Sequence, residues 1–255
     1  MSNGDIFVGE VLGTAILIMF GVGVCAAVNL PYSKARATGA GWIVITFGWG
    51  FGVLAGAYAS APLSGGHLNP AVTFAIAIDT GEWSKVPLYI LAQFVGAMLG
   101  AVLGYLVYYS QFQANREADK AQPTLGIFAT APEVRNPVTN IMTEVIVTVG
   151  LVLPILSFNK NAGIGVGQIA GQEAGIYGSG ISILLVSLLV VGIGLCLGSP
   201  TGYAINPARD LGPRIVHALL PIPNKGSSDW GYSWIPVAAP MVGGALAGLL
   251  FNLIY

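Results

Sequence analysis

Two short stretches carry the same chemistry in the two halves of the chain. In each, small residues precede Asn-Pro-Ala and a short helical pattern follows; the stretches are Ser64–Thr73 and Thr201–Asp210. Proline suits the first turn of a helix, where its missing N–H is not needed, and asparagine is a favoured N-cap residue. We therefore predict backbone that runs into a helix N-terminus, with Asn69 or Asn206 at the tip. Such a cap fixes the carboxamide, so that its N–H can point at a passing oxygen.

The composition around these stretches is that of a membrane protein. The 255 residues are 55% hydrophobic and 8% charged, with a mean hydropathy of +0.75, whereas soluble domains carry about 25% charged residues. A net charge of −1 and a pI near 6.1 argue against a nucleic-acid partner. Cys25 and Cys196 lie in apolar segments and predict neither a disulfide nor a metal site. No cofactor and no cleavable signal peptide are expected.

Six segments are long and apolar enough to cross a bilayer, which takes about 20 residues. They are predicted at residues 5–30, 40–60, 86–110, 139–158, 179–198 and 231–254. The Asn-Pro-Ala stretches lie in the second and fifth links, and the apolar runs after them, Ala71–Ile78 and Ala208–Leu219, are too short to span. Irregular backbone at membrane depth is tolerated where it is buried in protein or lines a watery cavity. We predict two re-entrant half-helices that meet tip to tip in a pore.

The two halves share further features in the same order. Glu10 and Glu144 are lone carboxylates in the first and fourth segments, and small-residue motifs follow in the third and sixth. Because each half holds three segments, the second copy must insert upside down, as an inverted repeat. The predicted fold class is an all-α membrane protein with six transmembrane helices and two re-entrant half-helices. We expect one domain over residues 1–255, with repeats at about 5–110 and 139–254 joined by a polar link at 111–138.

These motifs resemble the major intrinsic protein (aquaporin) family, in its glycerol-facilitator branch. The resemblance covers nearly the whole chain and rests on Ser-Gly-x-His-x-Asn-Pro-Ala and on a second Asn-Pro-Ala-Arg-Asp, in which Asp210 points to the glycerol branch. It implies one pore per subunit, a homotetramer and a multi-pass location in the plasma membrane. It also implies cytoplasmic termini, although the Lys and Arg bias of the links favours the opposite orientation. We expect the family topology, because topology is a property of the whole fold.

Arg209 is a charged side chain at membrane depth, where charge is costly and usually functional. By resemblance it forms one wall of a selectivity filter, and Trp49, Gly194 and Tyr203 form the others. Aromatic faces would hold the C–H side of a polyol, while Arg209 donates two hydrogen bonds to its hydroxyls. Gly194 stands where strict water channels have His, and Tyr203 where this branch commonly has Phe. Ordinary packing of the aromatic residues and close helix contact at Gly194 are the alternatives.

Further residues are expected along the pore. Val53 and Val190 lie four residues from Trp49 and Gly194, on the same helix faces, and should line it. Backbone carbonyls of the non-helical stretches should offer acceptors to solute hydroxyls. Those carbonyls belong to Gly65, Gly66, His67, Gly202 and Tyr203.

Three acidic residues and one histidine are assigned structural roles. We expect Glu10 and Glu144 to accept hydrogen bonds from re-entrant backbone N–H groups; a proton relay is the alternative. Asp210 should anchor the helix of Arg209. His67 should brace its loop, since no ligand cluster for a metal accompanies it.

These features predict a passive channel for glycerol and other small uncharged solutes, with some water. The positive N-termini of both half-helices would oppose protons and cations at the pore centre. The alternatives are a water-selective channel, and a wider channel that also passes urea or neutral small acids such as lactic acid. An ion-coupled transporter shares the inverted repeat. An enzyme is not expected, because the sequence shows no nucleophile–base pair and no metal cluster. The expected partners are glycerol, water, small neutral solutes and the lipid bilayer.

Overall fold

The computed structural model describes residues 1–39, 41–116, 121–160 and 181–255, and the described residues form helices without strands. The α-helices in this part of the chain are α1 (Asn3–Asn29), α2 (Gly41–Ser64), α3 (Pro70–Thr80), α4 (Val86–Val107), α5 (Tyr109–Ala114), α6 (Leu125–Phe128), α7 (Pro137–Lys160), α8 (Ile181–Leu197), α9 (Pro207–Leu219) and α10 (Ile235–Ile254). A short 3-10 helix at Ala35–Thr38 follows α1.

Among the described residues, five helices are long and apolar enough to cross a membrane. They are α1, α2, α4, α7 and α10, with mean hydropathies between 1.5 and 2.5. Helix α8 has 17 residues and starts at the first described residue after 161–180. The predicted link at 159–178 and the first residues of the fifth predicted span therefore lie largely outside the described residues. The expected all-α, multi-pass architecture is confirmed.

Both predicted half-helices are present, and each is slightly longer than its apolar run. Helix α3 starts at Pro70 and α9 at Pro207, and in each the preceding asparagine is the N-cap with extended backbone. Helix α3 ends at Gly81, whose φ of 76° is the left-handed conformation that glycine adopts at helix C-termini.

Helix boundaries differ from the sequence prediction by up to four residues, and α10, for example, starts at Ile235 instead of residue 231. Helix α2 continues through Pro62 to Ser64, whose hydroxyl donates to Glu10 Oε1 at 2.6 Å. The third span ends at Val107, earlier than predicted, and the link at 111–138 contains most of α5 and all of α6. That link therefore contributes ordered helices to the bundle.

Small residues let the helices approach closely. A Cβ atom on Gly56 of α2 would lie 2.4 Å from the carbonyl oxygen of Gly13 on α1. On α10, a Cβ on Gly244 would lie 2.5 Å from the carbonyl oxygen of Ala71 at the start of α3. Helix α9 in turn packs on α4, where a Cβ on Gly212 would meet the Ala97 side chain at 2.7 Å. Each half-helix thus packs against a spanning helix from the opposite half.

Contacts between links define two ends of the bundle. At the end where α9 terminates, Asn224 Nδ2 donates to the carbonyl of Asn115 at 2.7 Å, which joins the link at 220–234 to the one after α4. At the terminal end, the Lys85 ammonium donates to the Asn3 side chain, which joins the link after α3 to the N-terminus. The N-termini of α3 and α9 meet between these two ends.

Candidate functional site

A cavity of about 220 Å³ runs along the loops and N-termini of the two half-helices. The spanning helices give it a wall of mostly apolar side chains, formed by Leu17, Val53, Ala57, Leu151, Ile155, Ile183, Val186 and Val190. The two loops and half-helices form the other wall, which holds Gly65, Gly66, His67, Leu68, Asn69, Val72, Ile76, Tyr203, Ala204, Ile205, Asn206 and Arg209. Trp49 and Ser182 complete the lining.

The two asparagines tie the half-helix tips together. Asn69 Oδ1 accepts from the Ala71 N–H at 2.9 Å, and Asn206 Oδ1 accepts from the Ala208 N–H at 3.0 Å. Asn69 Nδ2 donates to the carbonyl of Ile205 at 2.9 Å, and Asn206 Nδ2 donates to the opposite loop at 2.8 Å. One N–H of each carboxamide therefore joins the two loops, and a second N–H remains on a residue that lines the cavity.

The loops before the half-helices use left-handed backbone at several residues. Gly65, Gly66 and Gly202 have φ values between 70° and 83°, which glycine adopts without strain. Tyr203 and Ile205 also have positive φ, at 39° and 48°. A positive φ is rare for a β-branched residue and costs about 1–3 kcal/mol, so other contacts must hold this backbone.

Glu10 supplies such contacts to the first loop. Its carboxylate is fully buried and accepts from the backbone N–H groups of His67 at 2.9 Å and Leu68 at 2.8 Å. It also accepts from Ser64 Oγ at 2.6 Å and from Gln93 Nε2 at 2.8 Å. A buried carboxylate is stable only when its oxygens are hydrogen-bonded, and here each bond also fixes the loop.

Glu144 does the same for the second loop. It is fully buried and accepts from the backbone N–H groups of Ala204 and Ile205, each at 3.0 Å. These bonds hold the residue with the unfavourable positive φ. The two carboxylates therefore occupy equivalent places in the two halves.

The end of the cavity where Arg209 lies brings together residues from four helices, α1, α2, α6 and α9. The Arg209 guanidinium carbon lies 3.8 Å from the centre of the Trp49 ring, and Nη1 donates to the Phe128 carbonyl at 3.5 Å. A Cβ on Gly21 of α1 would lie 2.2 Å from the Trp49 ring, so that glycine provides the space for the indole. Tyr203 also lines the cavity, and its ring makes an edge-to-face contact with Trp42, with 5.9 Å between the ring centres.

Two predicted site residues lie outside the cavity lining. The Tyr203 ring covers Gly194: a Cβ there would lie 3.0 Å from Tyr203 Cζ and 2.6 Å from Thr46 Cγ2. The space that Gly194 leaves is thus filled by the tyrosine. Gly202 lies against Thr130: a Cβ atom on the glycine would lie 3.3 Å from the Thr130 Cβ. Val53 and Val190 do line the cavity, on the face that their spacing predicted.

Asp210 belongs to a buried ion-pair cluster. Asp210 Oδ1 accepts from Arg214 Nε at 2.8 Å, and both side chains are fully buried. Asp210 Oδ2 accepts from the backbone N–H and hydroxyl of Thr130 at 2.7 and 2.6 Å. Arg214 also donates to the carbonyls of Thr130 and Ser228. The sequence analysis missed Arg214, although its spacing of four residues from Asp210 on a helix was an available signal.

A second missed element is the segment Thr124–Thr130, which contains α6. The sequence predicts a polar link here, yet the Phe128 carbonyl accepts from Arg209 and the Phe128 ring is fully buried. The apolar run Leu125–Ala129 inside the link was the available signal.

His67 braces the first loop. Its ring stacks on Tyr89 with 4.3 Å between ring centres and 19° between planes, and Nδ1 lies 3.1 Å from Thr73 Oγ1. The Tyr89 hydroxyl donates to the Ser64 carbonyl at 2.6 Å. The ring therefore links the loop to α3 and α4.

Spanning helices around a lined cavity, with two half-helices that meet at their N-termini, define a membrane channel. Residues 2–251 match the major intrinsic protein family, and the chain belongs to that family.

Several glycerol uptake facilitators resemble the chain over almost its whole length. The glycerol uptake facilitator protein of Bacillus subtilis (strain 168) is 48% identical over 247 residues, which are 96% of this chain and 83% of the relative. Glycerol uptake facilitator protein 3 of Lactiplantibacillus plantarum is also 48% identical, over 96% of this chain and 95% of its own. The X-ray structure of the aquaglyceroporin from Plasmodium falciparum superimposes with a TM-score of 0.78 at 29% identity, covering 99% of this chain and 97% of the other.

Proposed function

We propose that the chain is a passive channel for glycerol and other small uncharged solutes, with some water, and that it converts no substrate chemically. The observation that carries this proposal is the two-sided lining of the cavity. One wall is apolar, and the other consists of loop backbone, two asparagines and Arg209. A polyol has the same division, with C–H groups on one side of its carbon chain and hydroxyls on the other.

Passage through such a cavity requires that lost water contacts be replaced. Loop carbonyls and the second N–H of Asn69 and Asn206 are the groups that we propose for this role, because these residues line the cavity. The apolar wall then faces the C–H side of the solute and holds no groups that would bind it tightly. Weak, repeated binding along the path permits fast conduction.

Three positive groups would exclude cations and protons. The half-helices α3 and α9 point their N-termini at the cavity centre, and each macrodipole places about half a positive charge there. Arg209 adds a full charge at the filter end and lies in the lining. An uncharged solute meets no such barrier.

The names of the relatives favour glycerol over water as the main solute. We propose that Trp49, Arg209 and Tyr203 form the selectivity filter, with Gly194 as the space behind Tyr203. The Tyr203 hydroxyl has no hydrogen-bond partner among the described residues. That hydroxyl is itself buried, so it gives no support to a wider range that includes urea or neutral small acids.

Assembly, orientation and repeats belong to the same proposal. We propose a homotetramer in the plasma membrane with cytoplasmic termini and with the filter end facing outward. We further propose one domain over residues 1–255, built from inverted repeats at about 5–110 and 139–254. The support is the family itself, the paired half-helices and the equivalent places of Glu10 and Glu144.

A tryptophan placed in the cavity tests whether this cavity is the path. Val190 on α8 lines the cavity and is 6% exposed, whereas Leu188 on the same helix is 53% exposed on the outer surface. In proteoliposomes, Val190→Trp should abolish fast glycerol re-swelling measured by stopped-flow light scattering, and Leu188→Trp should retain it. Equal flux through both variants, at equal protein content, would refute the assigned path.

A further inference from the structure

One histidine joins three elements at the filter end. His217 lies in the last turn of the half-helix α9 and is fully buried. Its Nε2 lies 3.0 Å from Thr124 Oγ1, and its Nδ1 lies 2.8 Å from Ser228 Oγ. Thr124 precedes α6, and Ser228 belongs to the link before α10. The imidazole is therefore a bridge between α9, the segment Thr124–Thr130 and that link.

The bridged segment is the one that contacts the filter arginine. Its Phe128 carbonyl accepts from Arg209, and the Phe128 ring centre lies 5.4 Å from that of His217. At its far end, Thr130 is fixed by Asp210. The segment is thus held to α9 at both ends, by an ion-pair cluster at one and by the histidine at the other.

The bridge suits a neutral imidazole. Thr124 Oγ1 donates to the Lys225 carbonyl at 3.3 Å and so accepts from the Nε2–H of His217. Nδ1 is then the acceptor for the Ser228 hydroxyl. A second proton on the ring turns Nδ1 into a donor, and the hydroxyl hydrogen opposite it must turn away.

The charges around His217 oppose that second proton. Arg214 lies one turn before it on α9, and Lys225 Nζ donates to the His217 carbonyl at 3.1 Å. Both nearby carboxylates already have cationic partners: Asp210 binds Arg214, and Asp229 binds Arg135. The segment Thr124–Thr130 carries no charged residue. Burial first, and then the charges of Lys225 and Arg214, lower the pKa of His217 to about 4.

We propose that His217 is a positioning residue of the filter and that its protonation in acid lowers glycerol permeability by loosening the segment that holds Arg209. The inference rests on the proposed glycerol channel. Acid adds a third positive charge beside Arg214 and Lys225, and it reverses the hydrogen bond between Nδ1 and the Ser228 hydroxyl; we expect the repulsion between the three charges to loosen the bridge. The Phe128 carbonyl then no longer holds the Arg209 guanidinium in the position where it can donate hydrogen bonds to solute hydroxyls.

The test compares glycerol re-swelling of proteoliposomes at pH 7.5 and pH 4, with equal pH on both sides. Glycerol carries no charge at either pH, so the flux into empty liposomes can be subtracted as the contribution of the lipid bilayer. We expect wild-type permeability to fall by up to about half at pH 4, because about half of the His217 rings carry the second proton at a pH equal to their pKa. His217→Gln should show a flat profile, because glutamine can bridge the hydroxyls and does not titrate there. Ser233→Ala, which removes an exposed hydroxyl of the same link, should keep the wild-type profile.

The outcomes separate this inference from the function on which it rests. If the wild type conducts glycerol at pH 7.5 and its permeability does not fall in acid, the inference alone is overturned. The same holds if the permeability of His217→Gln falls in acid as much as that of the wild type. No glycerol flux at pH 7.5 overturns the proposed function itself.

A second measurement needs no variant. Hydrogen exchange by mass spectrometry, corrected for the intrinsic effect of pH, should show faster exchange in the peptide covering Thr124–Thr130 at pH 4. Unchanged protection of that peptide would overturn the inference.

Discussion

The guanidinium carbon of Arg209 lies 3.8 Å from the centre of the Trp49 ring. The two residues come from opposite halves of the chain, one from α9 and one from α2. A cation over an indole face is stabilised by the ring quadrupole, more so where water is excluded, and both side chains here are under 10% exposed. The charge of Arg209 is therefore fixed by the fold, and its removal should have a defined effect.

Arg209→Val should weaken the exclusion of cations and protons. If the charge adds about 1.4 kcal/mol to the barrier for a cation, its loss raises the leak about tenfold. A pH-sensitive dye inside proteoliposomes, with an imposed potential, measures proton flux. Glycerol flux should persist, because the cavity remains open. An ion leak equal to that of wild type would show that Arg209 is not part of the barrier.

Glu144→Gln should damage folding more than selectivity. Glutamine keeps the volume but replaces one acceptor oxygen with an NH₂ group that faces a backbone N–H of Ala204 or Ile205. An unpaired buried N–H costs about 2 kcal/mol, at a loop that already holds positive φ. The yield of monodisperse protein and its Tm in detergent measure the effect. A normal yield with altered proton flux would instead favour the relay alternative.

Gly194→Ala should narrow the filter. The new Cβ would lie 2.6 Å from Thr46 Cγ2 and 3.0 Å from Tyr203 Cζ, so it pushes the tyrosine ring towards the cavity. An added barrier of about 1 kcal/mol lowers glycerol permeability about fivefold, and the smaller water molecule should be less affected. Gly192→Ala on the same helix is the control, because nothing lies within 4 Å of its Cβ. Equal glycerol-to-water ratios in the two variants would contradict this role.

Asp210→Asn should destabilise the protein strongly. It leaves the Arg214 guanidinium buried without a counter-charge and weakens both bonds from Thr130. Removing one partner of a buried pair costs about 3 kcal/mol or more. Arg135→Gln, which breaks an exposed pair with Asp229, should change the Tm little. Similar losses of Tm in the two variants would mean that the buried ion pair stabilises the protein no more than the surface ion pair does.

The helices and half-helices could be predicted because their signals are local. Apolar length marks the spans, and Asn-Pro marks the N-termini of α3 and α9. The position of α6 could not be predicted, since four residues in a polar link carry too little periodicity. What orders that segment is tertiary: Asp210 and Arg214 bind Thr130, and Arg209 binds the Phe128 carbonyl.

The candidate site was predictable in its residue types and less so in its geometry. Spacing placed Val53 and Val190 in the lining, where they are found. The family resemblance predicts that Gly194 is a wall, whereas the structure covers that glycine with the Tyr203 ring. The reason is the positive φ of Tyr203, which turns the backbone in a way that no propensity for tyrosine would suggest.

The central claim is passive glycerol conduction, and stopped-flow light scattering on wild-type proteoliposomes tests it most directly. Shrinkage in sucrose reports water flux, and re-swelling in glycerol reports glycerol flux. The account predicts fast re-swelling whose rate rises linearly with the glycerol gradient without saturating. Fast shrinkage with re-swelling no faster than in empty liposomes would contradict it and would identify a water channel.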